Sequence, residues 1–136
     1  AASEIMQDMS AYMGGIFETI CQQYMIRLAK AKKLPFIPHD IGRWWGANPK
    51  TKSQDDIDIL CLSRDRKSAI FCECKFRNVL FDMEEYKDLI TASEIFNEPE
   101  NRYYYIFSKS GFTDEVKKQS VADGVVLVEL DDLFNI

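Results

Sequence analysis

Asp58, Glu73 and Lys75 are the residues whose types and spacing could do acid, base or metal chemistry together. They lie within Asp55–Phe76 (DDIDILCLSRDRKSAIFCECKF), where two runs rich in Ile, Leu, Phe and Cys flank the charged connector Ser63-Arg64-Asp65-Arg66-Lys67. That pattern predicts a β-hairpin. With Arg64–Lys67 as the loop, Ser63 faces Ser68, Leu60 faces Phe71, Asp58 faces Glu73 and Asp56 faces Lys75. Side chains alternate across a strand. One face therefore carries Asp56, Asp58, Leu60, Leu62, Ala69, Phe71, Glu73 and Lys75. The other carries Ile57, Ile59, Cys61, Ile70, Cys72, Cys74 and Phe76 and is apolar throughout, whereas the first is apolar near the turn and ionic at its open end.

Like charges directly opposite one another on a sheet repel, so a facing Asp58 and Glu73 call for a cation between them. Hard carboxylate oxygens suit Mg²⁺ or Mn²⁺, and Lys75, two residues along the same face, would lie beside a metal-bound water. In outline this is a site for metal-assisted hydrolysis. The plain alternative is an exposed strand in which Glu-x-Lys occurs by chance. The combination of an Asp, a hairpin, an in-phase Glu-x-Lys and apolar residues at the other inward positions favours chemistry.

Asp58…Glu73-Cys74-Lys75 resembles the motif of the PD-(D/E)xK nuclease superfamily, an Asp on one strand and Glu-x-Lys on the next. More narrowly, Gly42-Arg43-Trp44-Trp45-Gly46, Asp56-Ile57-Asp58-Ile59 and Glu73-Cys74-Lys75 together resemble an uncharacterised nuclease-like domain found C-terminal to AAA-type ATPase modules in archaea and bacteria. The resemblance runs from Gly15 to Phe134 and is sharpest between Ile41 and Asn78. It implies a restriction-endonuclease-like α/β fold, a three-layer core with a mixed sheet flanked by helices. It also implies metal-dependent endonuclease action on DNA. Asp58, Glu73 and the main-chain carbonyl of Cys74 would bind Mg²⁺ or Mn²⁺, Lys75 would hold or activate the attacking water, and Glu18 on the first helix would be an outer metal ligand. The implied partners are DNA and an ATPase module in the same or a partner chain, and a homodimer is left open. Ile57 replaces the Pro that precedes the Asp in the superfamily, a position that is not a ligand. The rival reading is a non-catalytic DNA- or protein-binding or regulatory module of an ATPase that keeps the nuclease fold. A weaker third is an oligomerisation domain with an accidental motif.

The 136 residues, with 46% hydrophobic and 29% charged, suit one domain over residues 1–136 with a sizeable core. The start at Ala-Ala-Ser, without Met, leaves open a fragment of a longer ATPase-containing protein. No run reaches the ~18 apolar residues of a membrane span and no signal peptide is visible, so a cytoplasmic location is expected. The cysteines, Cys21, Cys61, Cys72 and Cys74, read as buried free thiols acting as small hydrophobes. A zinc site from Cys61, Cys72, Cys74 and His39 is the alternative, although Cys-x-Cys in a strand lacks knuckle spacing. A lone His, no Gly-x-Ser-x-Gly and no phosphate-binding loop argue against an esterase or an NTPase. The net charge of −5 speaks against a nucleic-acid partner, but it is unevenly spread. Residues 1–77 hold 12 Lys/Arg and 9 Asp/Glu, and residues 78–136 hold 5 and 13. The first part thus offers a basic rim, Arg27, Lys30, Lys32, Lys33, Arg43, Lys50, Lys52 and Arg77, around an acidic centre.

The elements that must position the motif follow from patterning. Ser3–Lys33 reads as an amphipathic helix with Met6, Met9, Met13, Phe17, Ile20, Tyr24 and Leu28 inward, kinked or broken at Gly14-Gly15. Pro35 and Pro38 stop it. Ile41–Trp45 reads as a strand with Trp44 and Trp45 on opposite faces, ended by Gly46-Ala47-Asn48-Pro49, and the basic loop Asn48–Gln54 overhangs the site. A helix over Met83–Phe96 has Tyr86, Leu89, Ile90, Ser93 and Ile95/Phe96 inward. Arg102–Ser108 is a buried strand, Thr113 caps another helix, Val125–Leu130 is a strand, and Asp131-Asp132 caps a last turn. The order α-β-β-β-α-β-α-β predicts a mixed sheet with helices on both faces.

Overall fold

The computed structural model of the protein describes residues 2–47 and 54–135. Helix α1 (Ala2–Lys30) is followed by strands β1 (Asp40–Ala47), β2 (Gln54–Leu62) and β3 (Ser68–Lys75). Then come α2 (Met83–Ser93), β4 (Asn101–Ser108), α3 (Asp114–Asp123), β5 (Val126–Glu129) and a 3₁₀ turn, Leu130–Phe134. This is the expected order. The described strands form one sheet in the order β1-β2-β3-β4-β5. The β1/β2 and β2/β3 pairs are antiparallel, and β3/β4 and β4/β5 are parallel. The first three strands are joined by short connections, whereas the parallel pairs need α2 and α3 as crossovers.

Both faces of the hairpin strands are apolar, so both must be covered, and the result is a three-layer α/β core. On one face α1 lays Phe17, Cys21, Met25 and Leu28 over Ile59, Cys61, Ile70, Cys72, Tyr105 and Phe107. On the other, α2 and α3 bring Tyr86, Leu89 and Val116 onto Leu60, Leu62, Ala69, Phe71 and Ile106. Each fully buried large apolar side chain contributes roughly 1.5–3 kcal/mol, and the hairpin supplies them to both cores. Its turn is closed locally. Asp65 Oδ1 accepts from Ser63 Oγ at 2.7 Å and from the Lys67 N–H at 3.0 Å, and Arg66 takes a positive φ of 64°.

Some expectations shift. Helix α1 runs without a break through Gly14 and Gly15. Its buried stripe is Phe17, Cys21, Met25 and Leu28, while Met9 and Met13 are exposed and Ile20 and Tyr24 only partly buried. Among the described residues of this part of α1, Met9, Tyr12 and Met13 are all exposed, so apolar spacing there does not mean burial. The Met6 side chain lies outside the described residues. Trp44 and Trp45 do diverge: Trp44 packs edge-on against Phe96 at 4.7 Å between ring centroids, and Trp45 is exposed. Thr113 caps α3 by accepting from the Val116 N–H, and Asp82 with Glu85 forms a capping box on α2. Among the described residues no helix is long and apolar enough to cross a membrane.

Phe71 is wholly buried and sits among Tyr104, Phe96 and the Arg102 guanidinium at 5.5–5.6 Å. Phe71→Ala should therefore destabilise the fold by about 3–5 kcal/mol in urea titration. Trp45→Ala, at an exposed position, should stay within about 0.5 kcal/mol of wild type.

Candidate active site

Pairing between β2 and β3 runs Leu62↔Ala69, Cys61↔Ile70, Leu60↔Phe71 and Ile59↔Cys72, and there it stops. These rungs are the ones the sequence predicts. Across β2's other edge, Gly42 pairs with Leu60 and Trp44 with Ile57. Three steps along β2 therefore match two along β1, which is a β-bulge. Its effect on the side chains is direct. Ile57 and Ile59, two residues apart, lie in different cores, Ile59 beneath α1 and Ile57 beneath α2. The expectation that Ile57 shares a face with Ile59 and Cys61 fails because the extra residue reverses the alternation.

Asp58 stands at the bulge and is buried. Its Oδ2 accepts the main-chain N–H of Cys74 at 2.8 Å, a group that points along the sheet rather than out of it. Asp58 thus does not oppose Glu73 across a regular rung. It fills the gap between the strands beyond the last rung. The N–H and C=O of one strand residue point to the same edge, so the Cys74 carbonyl faces this gap too.

Three carboxyl groups meet there. Asp58 is close enough to Glu73 on β3 and to Glu18 on α1 to raise both carboxyls. Alternation sets Glu73 on the Phe71 face, whereas α1 covers the opposite face, and Asp58 reaches both because it lies between them. Burial, then the charge of Asp58 and the hydrogen bond to it, push the Glu73 carboxyl up to about 9, against the pull of Lys75. Glu18 is raised to about 7, by burial first and then by its hydrogen bond with Asp58 and the Asp58 charge, with Arg43 opposing. Lys75 Nζ lies 3.6 Å from Glu73 Oε1 and is part-exposed. Its partner is Glu73, whereas Asp56, expected opposite Lys75, is bound elsewhere.

That other partner is Arg43, expected from the sequence in a basic rim and in the Gly42–Gly46 stretch of the family resemblance but in no role at the site. From β1 its Nη1 donates to both Glu18 oxygens, at 3.0 and 2.9 Å, and its Nη2 to Asp56 Oδ2 at 2.8 Å. Arg43, Trp45, Asp55 and Asp56 line an open cleft at the β1 edge of the sheet. The signal that could have found Arg43 is its setting: one guanidinium on the strand that precedes three acids of a pairing strand. Other rim residues are also engaged, Arg77 with Glu85 and Arg27 with the Leu133 carbonyl. Lys50, Lys52 and the loop 48–53 lie outside the described residues.

Among the described residues, no three His, Cys, Asp or Glu groups are arranged to hold a metal ion as they stand. The zinc alternative finds no support in the placement of its ligands: the four cysteines are free and buried, and His39 is exposed. Burial and the neighbouring Cys61 push the Cys72 thiol well up, and the hydrogen bond with Cys21, then burial, does the same for Cys74.

A family model described as archaeal and bacterial proteins of unknown function, DUF234, matches residues 1–89. The chain belongs to this family. It is also similar to an uncharacterized protein of Methanocaldococcus jannaschii, with 33% identity over 109 residues, 78% of this chain. The chain spans 24% of that relative's length. A solved structure of a protein of unknown function, AF1548, aligns with a TM-score of 0.50 at 16% identity, covering 84% of this chain and 64% of its own. That likeness is one of fold.

Glu73 binds a proton in the folded state between its ordinary value near 4.5 and about 9 that it lacks in the unfolded chain. Stability therefore falls as pH rises through that window, since the folded form there holds more protons. With chelator present, unfolding free energy measured across it should decline in the wild type and decline less in Glu73→Gln.

Proposed function

We propose that the chain is a metal-dependent nuclease domain of the PD-(D/E)xK type that hydrolyses phosphodiester bonds in DNA. The observation that carries this reading is the meeting of Asp58, Glu73 and Glu18 in the gap where β2 and β3 part, with the Lys75 ammonium 3.6 Å from Glu73. The donor chemistry fits Mg²⁺ or Mn²⁺. The groups are hard oxygens, the buried Asp58 carboxyl and the part-buried Glu73 and Glu18 carboxyls, and a cation between them would relieve their repulsion. Asp58, Glu73 and the Cys74 carbonyl would hold the ion, with Glu18 as an outer ligand. Bound there, the ion supplies a Lewis acid and lowers the pKa of a coordinated water.

The chain's own residues supply the rest. The Cys74 N–H fixes the Asp58 carboxylate, so its orientation is set before substrate arrives. Lys75, anchored by Glu73 and part-exposed, orients the attacking water and offsets charge on the phosphate. The basic balance of residues 1–77 favours a polyanionic partner. A chain spanning 24% of its relative is consistent with one module of a longer polypeptide, and an ATPase module is the partner we propose.

A second reading, a regulatory or binding module beside such an ATPase, is favoured by one observation: Glu18 is engaged by the Arg43 guanidinium through both of its oxygens, as a structural ion pair would be. DNA cleavage in Mg²⁺ separates the two. Wild type should cut, while Lys75→Ala should keep its fold within about 1 kcal/mol and lose about 10²–10⁴-fold in rate. Absence of cutting by wild type on single- and double-stranded DNA alike would favour the module. Loss of the fold in Lys75→Ala would make Lys75 a structural ion-pair partner instead.

A further inference from the structure

We propose that Arg43 is an internal counter-ion that holds Glu18 in the metal-free protein and is displaced from it when the site loads a divalent cation. This rests on the metal-binding reading above and adds its regulation. The guanidinium is half-exposed, so it could hydrate freely, yet it takes both Glu18 oxygens at 2.9–3.0 Å and Asp56 at 2.8 Å. Nη1 alone spans the two Glu18 oxygens while Nη2 holds Asp56, so one guanidinium bridges two carboxylates through charge-assisted hydrogen bonds. A divalent cation beside Asp58 would repel the guanidinium that holds the Glu18 oxygens, so the two positive charges compete for Glu18. In the structure Glu18 is turned to the guanidinium with both of its oxygens.

Asp56 gives the displaced side chain somewhere to go. Its bond to Nη2 is separate from the Glu18 bonds on Nη1, so Arg43 can release Glu18 and stay tethered at the β1 edge. There it faces the cleft it shares with the exposed Trp45. Released from Glu18, the guanidinium would offset the Asp55 and Asp56 carboxylates that line this cleft, and the Trp45 indole beside it offers a face on which a base of a phosphodiester chain can stack. The cleft would then gain a cation for substrate only once the metal is in place, coupling loading to binding.

The sign of one affinity change tests this. Mn²⁺ binding is measured by calorimetry on the intact chain, at one mildly alkaline pH, for wild type, Arg43→Ala and Arg43→Lys. Removing a competing positive charge close to the site should tighten Mn²⁺ about tenfold in Arg43→Ala, with Arg43→Lys within about threefold of wild type because the charge remains. If Arg43→Ala does not fold, Arg43→Gln carries the same expectation. A purely structural Arg43 would position Glu18, so its loss would weaken Mn²⁺ or leave it unchanged; that result, with wild type binding, overturns the counter-ion role alone. Failure of wild type and of every variant to bind Mn²⁺ would remove the metal site, and this inference with it.

Discussion

The site depends on the end of a ladder. Two antiparallel strands of this length would ordinarily stay paired, but β2 carries one residue more than β1 between Leu60 and Ile57, and β2–β3 pairing ends at Ile59↔Cys72. A bulge twists its strand and re-aims a side chain. Here it returns Ile57 to the α2-side core and leaves Asp58 in the gap, hydrogen-bonded to the Cys74 main chain. Without the extra residue Asp58 would stand on the face of the sheet, away from Glu18. The meeting of groups from α1, β2 and β3 follows from that one irregularity.

Charge then sets the local structure. Asp58 and Glu73 are removed from water to a degree that carboxylates tolerate only when protonated, paired or bound to a cation. Each of those answers is visible nearby: raised carboxyls on Glu73 and Glu18, the Lys75 ammonium, and the Arg43 guanidinium across Glu18 and Asp56. Directly below, Cys72 and Cys74 pack with Cys21 and Cys61 as an apolar floor. The thiols of Cys72 and Cys74, held well above their ordinary values, add no charge to the site. Small side chains in that floor also let α1 lie close to the sheet, which brings Glu18 within reach.

Much of this arrangement was legible in the sequence, for physical reasons. The hairpin register followed from a five-residue polar connector between apolar runs, and strict alternation set Ile70, Cys72 and Cys74 against Phe71. The bulge left no trace, because Asp-Asp-Ile-Asp-Ile contains neither Gly nor Pro and alternates as a regular strand would. The helix stripe was misread by one position because the exposed Met9 and Met13 have the same spacing as core residues, whereas Cys21 and Met25 carry the burial. Arg43 escaped because its partner Glu18 lies 25 residues away and no local pattern links them. Glu18 itself was singled out only through the family resemblance.

The central claim is that the gap is a cation site built around Asp58. Melting of wild type and Asp58→Asn in chelator and in Mn²⁺ tests it most directly. Asn keeps an oxygen for the Cys74 N–H and removes one charge, so without metal the variant should be at least as stable as wild type. An ion that binds only the folded form adds about 2.7 kcal/mol at a hundred times its Kd. Mn²⁺ should therefore raise the melting temperature of the wild type and leave Asp58→Asn nearly unmoved. Equal shifts in the two proteins, or none in either, would contradict the account.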